Sequence, residues 1–155
     1  MDRRWIDRYE QGAAELRQAI EGLSPAELNA FPVPGTWSIQ QIVWHMVDSD
    51  LIASDRMKRV IAEPRPLLIG YNETLFAQRL PYDQLDAQAA CTLFALNRQV
   101  TAAILRTLPD ETFSRDGVHN ERGLVTLGYL VENYVGHLDH HLGFIRQKRG
   151  LLGKR

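Results

Sequence analysis

Apolar side chains recur at three- and four-residue intervals through four long stretches of this chain, each ended by proline or glycine. That period belongs to half-buried helices. The first stretch, about Arg3 to Ile20, carries Ile6, Tyr9, Ala13, Leu16 and Ile20, and Gly22 stops it. Ser24-Pro25-Ala26-Glu27 combines a cap, a first-position proline and a glutamate three residues after the cap, so a short helical turn is expected there. Phe31-Pro32-Val33-Pro34-Gly35 cannot be helical, because its two prolines remove donors and restrict the residues before them.

The best-marked helix start follows. Ser38 and Gln41 form a capping box, and Trp37 stands where it can staple onto Ile42. From Ile39 to about Ala62 the residues Ile42, Val43, Met46, Ser49, Ala53, Met57 and Val60 share a buried face, and Pro64 and Pro66 end the helix. A loop to Gly70 leads to a short helix capped by Asn72 and closed by Pro81. The third long helix is expected from roughly Gln84 to Leu108, with Leu85, Ala89, Leu93, Leu96, Val100, Ile104 and Leu108 as its apolar row. Asp110 to Gly123 reads as a connector or a cap over one bundle end, and a last helix begins near Thr126.

These elements predict an all-α fold, an antiparallel four-helix bundle with short extra helices in the connections. No run of alternating residues supports a strand of useful length. No repeat, low-complexity tract or linker divides the chain, so one domain over residues 1–155 is expected. A chain of this length buries roughly two thirds of the surface its unfolded form exposes, enough for a core without staples. One cysteine, Cys91, excludes an internal disulfide. Among Ala90, Leu93 and Phe94 it reads as a small buried side chain in a reducing compartment.

The N-terminus MDRRWIDRYEQ lacks the apolar run of a signal peptide, and no stretch is apolar enough to span a bilayer. A cytoplasmic protein with no membrane partner is expected. Eighteen basic and nineteen acidic residues leave a formal charge of −1, which gives no general attraction to nucleic acid. The basic residues Arg146, Lys148, Arg149, Lys154 and Arg155 gather at the C-terminus, where they complement a helix dipole and keep a tail solvated. Phosphate-binding glycine loops are missing. Trp5, Trp37 and Trp44 are assigned to packing.

The chemistry lies in the histidines. The last helix places Leu127, Leu130, Tyr134, His137, His141 and Ile145 on one row, so two histidines occupy core positions. Separated by one turn, about 6 Å along the axis, both imidazoles can reach one ion. His45, on another inward face, is the candidate third ligand. Alone, an HxxxH pair could be two satisfied polar groups at a helix edge, and His137 with His140 is a rival pairing. His140 shares its side with Asn133 and Phe144, which suits a surface or supporting role.

Three neutral nitrogens suit zinc or nickel better than calcium or magnesium and leave a coordination position open, as catalytic sites do. The glutamate of HExxH is absent, since Leu138 follows His137. Asp48, one turn beyond His45, is the candidate catalytic proton acceptor or water-orienting group; a helix-edge salt bridge is its plainer role. Glu73 and Asp139 are weaker candidates, Asp139 because it faces solvent. A small-molecule substrate is expected, reached through hydrolysis by activated water or through transfer from a low-molecular-weight thiol. A noncatalytic metal-binding or helical interaction protein is the competing reading.

Gly35-Thr36-Trp37-Ser38-Ile39-Gln40-Gln41-Ile42-Val43-Trp44-His45-Met46-Val47-Asp48-Ser49, together with Gly136-His137-Leu138-Asp139-His140-His141, resembles the DinB family, which includes the YfiT-like metal-dependent hydrolases. The resemblance runs from about Leu16 to Phe144. It implies a four-helix bundle with a three-histidine centre for zinc or nickel, often in a homodimer, with His45, His137 and His141 at the ligand positions. Asp48 matches a frequent acidic position. The family is more distantly similar to transferases that use bacillithiol or mycothiol.

Overall fold

The computed structural model describes residues 1–154; Arg155, one of the basic terminal residues, lies outside them. Four long helices form the bundle: α1 (Arg4–Ile20), α3 (Ile39–Ala62), α5 (Ala87–Thr107) and α6 (Leu127–Leu151). Two short helices, α2 (Pro25–Leu28) and α4 (Glu73–Arg79), and 3-10 turns at Tyr82–Gln84 and Asp110–Ser114 occupy the connections. The fold is therefore the expected helical bundle with short helices between its members. No helix among the described residues is long and apolar enough to cross a membrane.

Local sequence sets the helix starts. The Ser38 and Ser24 capping boxes both form, with the Gln41 and Glu27 side chains returning to the cap backbone. Asn72 and Thr126 accept from Leu75 and Tyr129 backbone N–H groups. The third long helix starts later than the expected Gln84, because Asp86 accepts from the Gln88 and Ala89 N–H groups and fixes the start at Ala87.

Each of α1 and α3 packs against both α5 and α6, so α1 and α3 stand on one diagonal of the bundle. The apolar core divides into two clusters along its length. One joins the C-terminal half of α1 and end of α6 to the starts of α3 and α5. The other joins the start of α1 and the first half of α6 to the ends of α3 and α5. Hence α1 opposes α3, α5 opposes α6, and α3 and α5 run the same way. The chain between α3 and α5 must return along the bundle, and it lies across α3 on the way.

The expected rows of α1, α3 and α6 are buried, apart from a half-buried His137. The expected row of α5 is not: Leu85, Leu93, Leu96 and Val100 are exposed. The opposite row, Ala87, Ala90, Cys91, Phe94, Arg98, Thr101, Ala102 and Leu105, faces the core. Small side chains let neighbouring helices approach, and Arg98 occupies a place that periodicity alone gives to an apolar residue. A second departure is a three-stranded sheet of β1 (Leu67–Leu68), β2 (Asp116–His119) and β3 (Gly123–Thr126), parallel between β1 and β2 and antiparallel between β2 and β3. Strands of two and four residues are too short to display alternation in the sequence.

Between the two apolar clusters lies a polar layer. Arg98 is fully buried and donates through Nε to Asp50 Oδ1 at 3.0 Å, itself 1% exposed. Its other nitrogens donate to the Tyr9 and Tyr134 carbonyls at 2.9 Å each. Tyr9 Oη and Asn97 Nδ2 donate to the Asp50 carboxylate. The guanidinium also lies over the Tyr9 and Phe94 rings, 4.3 and 4.4 Å from their centroids. Burial pushes the Asp50 carboxyl up, opposed by Arg98, Asn97 and Tyr9, which favour its charged form. Gly12 makes room here: a Cβ would lie 2.5 Å from Leu138 Cδ2 and 3.1 Å from Arg98 Nη1.

Removing one partner of such a pair strands the other charge in the interior. Arg98→Ala is expected to destabilise the protein by about 3–5 kcal/mol, whereas Asp50→Leu combined with Arg98→Met costs less than Arg98→Ala alone. Urea unfolding of the three proteins checks this ordering.

Candidate metal centre

His45, buried on α3, and His137 and His141 on α6 converge as their rows require. Their candidate ligand nitrogens all lie within 4.8 Å of one another. His45 Nε2 stands 3.2 Å from His137 Nε2. Two nitrogens sharing a tetrahedral zinc are separated by about 3.3 Å, given Zn–N distances of about 2.0–2.1 Å. His137 Nδ1 and His141 Nδ1 are buried without a protein hydrogen-bond partner. The close approach of two ring nitrogens and the two left without a partner fit a site that a divalent cation would complete.

Electrostatics favour ligation too. Burial, with the neighbouring His141, lowers the His45 pKa to about 3; burial, with the neighbouring histidines, lowers His137 to about 3; burial, with His140, lowers His141 to about 4. All three imidazoles are therefore neutral near pH 7, the form that binds metal. Aromatic rings hold them in place. The Trp37 ring is parallel to His141 within 7° at a centroid distance of 6.3 Å, and it tilts against His45 at 4.9 Å. The Tyr71 hydroxyl lies 3.4 Å from His45 Nδ1, on the far side of the ring from His137.

Two cavities meet at His137. The first, of about 460 Å³, is polar and bounded by Arg56, Tyr71, His119, Asn133 and Tyr134. The second, of about 540 Å³, is more apolar and bounded by Trp37, Ile42, Phe144 and Lys148. Glu73 and Arg122 border both. Each volume falls in the usual range for small-molecule sites.

The acidic candidates separate by position. Glu73 Oε2 lies 3.8 Å from His45 Nε2, the only carboxylate within 4.0 Å of these histidines among the described residues. Asp48 accepts a hydrogen bond from the Tyr82 hydroxyl and borders neither cavity; burial raises its pKa against that bond. Asp139 is exposed and pairs with Arg8. His140 is exposed, with its ring 5.4 Å from His141 and 4.6 Å from Phe144, and it borders the second cavity.

Sequence reasoning passed over Tyr71 and Arg122 and ranked Glu73 low, because all three come from connectors or a connector helix whose course periodicity does not fix. Lys148 is the correction. Read as one of a solvated basic group, it is only 4% exposed. The row of His141 and Ile145 continues three residues later to Lys148, so extending it by one turn would have found it. Two of the other terminal cations meet partners: Lys154 pairs with Glu27 at 2.8 Å, and Arg149 donates to the Ala19 and Glu21 carbonyls. Cys91 is buried as expected, and burial lifts its thiol to about 11.

Because the folded-state histidine values lie below the ordinary 6.5, the unfolded chain takes up more protons as pH falls. Stability present above pH 6.5 is therefore lost progressively as pH falls toward the folded values of 3 to 4. Metal-free protein is expected to show a falling urea midpoint between about pH 6.5 and 5, and the His137→Gln/His141→Gln variant a flatter profile. Equal slopes in the two proteins would contradict the burial of neutral imidazoles.

Comparison with known proteins agrees with this geometry. The model of the DinB superfamily matches residues 8–145. The Bacillus subtilis protein named "Putative metal-dependent hydrolase YfiT" is 28% identical over 151 residues, covering 97% of this chain and 85% of its own. "Putative metal-dependent hydrolase OB0782" of Oceanobacillus iheyensis is 27% identical over 141 residues, covering 91% and 81%. The solved structure of YfiT, described as a probable metal-dependent hydrolase with an unusual four-helix bundle topology, superposes with a TM-score of 0.92 at 27% identity over 98% of this chain and 87% of that one. A mycothiol-dependent maleylpyruvate isomerase shares the fold alone, with a TM-score of 0.71 at 11% identity over 90% of this chain and 58% of that one. With three histidines brought together between its helices and a family match over most of its length, this chain belongs to the DinB superfamily.

Proposed function

We propose that the protein is a metal-dependent hydrolase of small molecules, with His45, His137 and His141 as ligands of zinc or nickel. The observation that carries this reading is the convergence of three neutral imidazoles, two buried and one half-buried, at the junction of two cavities. Three protein ligands leave room for a reactant, which distinguishes catalytic from closed structural sites. A bound divalent ion supplies a lowered water pKa and polarises an electrophile. The names of the YfiT relatives point the same way.

The chain's own groups divide the remaining work. Glu73 takes the proton at Oε2, being the carboxylate beside His45 and open to both cavities. Tyr71, against the outer nitrogen of His45, orients that ring. Trp37 shields the His45 and His141 rings from water. Asp48 remains a second acid in this scheme, one turn from His45 and steadied by Tyr82. Thiol-dependent transfer is the alternative reaction at the same centre, and its support is the fold shared with the mycothiol-dependent isomerase. The homodimer belongs to this reading as well, with the exposed Leu85, Leu93, Leu96 and Val100 row as its natural surface, as does a cytoplasmic location.

Metal analysis of untagged protein, purified without added metal, is expected to give near one zinc or nickel per chain, lost in His141→Ala. Ester and amide hydrolysis by the loaded protein should fall about 10²–10⁴-fold in Glu73→Gln with metal content retained. If Asp48→Asn instead causes the larger loss, the proton acceptor is reassigned to Asp48. Activity only with a thiol present selects the transfer reaction. Wild type that binds no metal after reconstitution overturns the whole reading.

Light scattering over a concentration series is expected to show a dimer that Leu96→Glu dissociates. A wild-type monomer at micromolar concentration removes the dimer from the proposal.

A further inference from the structure

Lys148 is a buried cation with no counter-charge among the described residues. Its ammonium donates to Thr36 Oγ1 at 2.6 Å, and Thr36 in turn donates to the Val33 carbonyl at 2.8 Å. No carboxylate lies within ion-pair distance of it among the described residues, whereas buried Arg98 has Asp50, and buried Arg56, which has no carboxylate either, donates to the Tyr134 hydroxyl and the Ile69 carbonyl. An ammonium has three donors, and among the described residues only Thr36 accepts from this one. Leaving a desolvated charge so poorly compensated costs stability, so a function for it is the economical explanation. Burial indeed pushes Lys148 down from its ordinary value.

Its position supplies the function. Lys148 and Thr36 line the second cavity together with His137 and His141. Trp37 and Phe144 are among the apolar side chains that bound the same cavity. Lys148 follows His141 by seven residues, about 10 Å along the helix axis, and helical side chains lean back toward the N-terminus. A ligand of that length can place one end at the histidines and the other at the ammonium. Glu73 is beside His45, at the histidine end, so its negative charge does not oppose an anion at Lys148.

We propose that the second cavity takes a small anionic substrate: an apolar, preferably aromatic, body against Trp37 and Phe144, a carboxylate on Lys148, and the reacting bond at the three-histidine centre. The assignment of the reacting end rests on the metal-dependent reading above. The assignment of the carboxylate end does not, and the test separates them.

The probes are phenylacetate and its homologues with one and two more methylenes, each compared with its neutral amide by calorimetry. Wild-type protein, both metal-free and metal-loaded, is expected to bind the best acid at least about tenfold more tightly than its amide, the strength of one charge-assisted hydrogen bond. Lys148→Met should remove the preference and Lys148→Arg should keep most of it. On wild-type protein, the Lys148 side-chain methylene resonances should shift with the acid and not with the amide, a readout that needs no variant to fold. Absence of saturable acid binding, equal binding of acid and amide, or a preference surviving Lys148→Met overturns the proposal. A preference present only in loaded protein places the carboxylate on the ion and also overturns it. Failure of the protein to take up metal would sink the hydrolase reading while leaving the metal-free comparison decisive for Lys148.

Discussion

The buried contact between Arg98 and Asp50 sets the arrangement of the four long helices. A guanidinium in a fully buried position must satisfy its donors inside the protein, and each donor here ends on a different helix. Asp50 comes from α3, the Tyr9 carbonyl from α1 and the Tyr134 carbonyl from α6. Apolar packing alone tolerates sliding of one helix along another; a set of fixed hydrogen bonds does not. The layer therefore defines the axial position of every helix against α5.

The histidines inherit that alignment. His45 precedes Asp50 by five residues on α3, and His137 follows Tyr134 by three on α6, so both histidine-bearing segments leave the polar layer in the same direction. A shift of one turn at the layer would separate His45 from His137 by about 5 Å. The same layer explains Gly12, whose missing side chain admits both Leu138 and the Arg98 guanidinium. In a helix interior glycine costs about 1 kcal/mol relative to alanine, and close packing of α1 on α6 offsets it.

Much of this was legible in the sequence, and the exceptions share a cause. The inward rows of α1, α3 and α6, the capping boxes and the meeting of His45 with the last helix follow from periodicity, which is a local property. Helix α5 carries two candidate rows, and hydropathy favours the wrong one, because its buried row is made of alanines, a cysteine, a threonine and Arg98. Only the partner Asp50 makes burial of Arg98 reasonable, and a contact between residues so far apart in sequence leaves no periodic trace. The small sheet, Tyr71 and Arg122 escaped, and Glu73 was ranked low, for the related reason that their places depend on how connectors cross the bundle.

That division has a consequence for how such a protein can change over evolutionary time. The three imidazoles and the layer that aligns them stand on long helices, whereas Trp37, Tyr71, Glu73, His119 and Arg122 reach the cavities from the connecting segments or from the short helix and strand that those segments hold. Connectors tolerate substitution and insertion far better than a bundle interior does. The cavity walls can therefore be rewritten while the three-histidine cluster stays intact, so what the cavities accept can change without disturbing the helices that bring the imidazoles together.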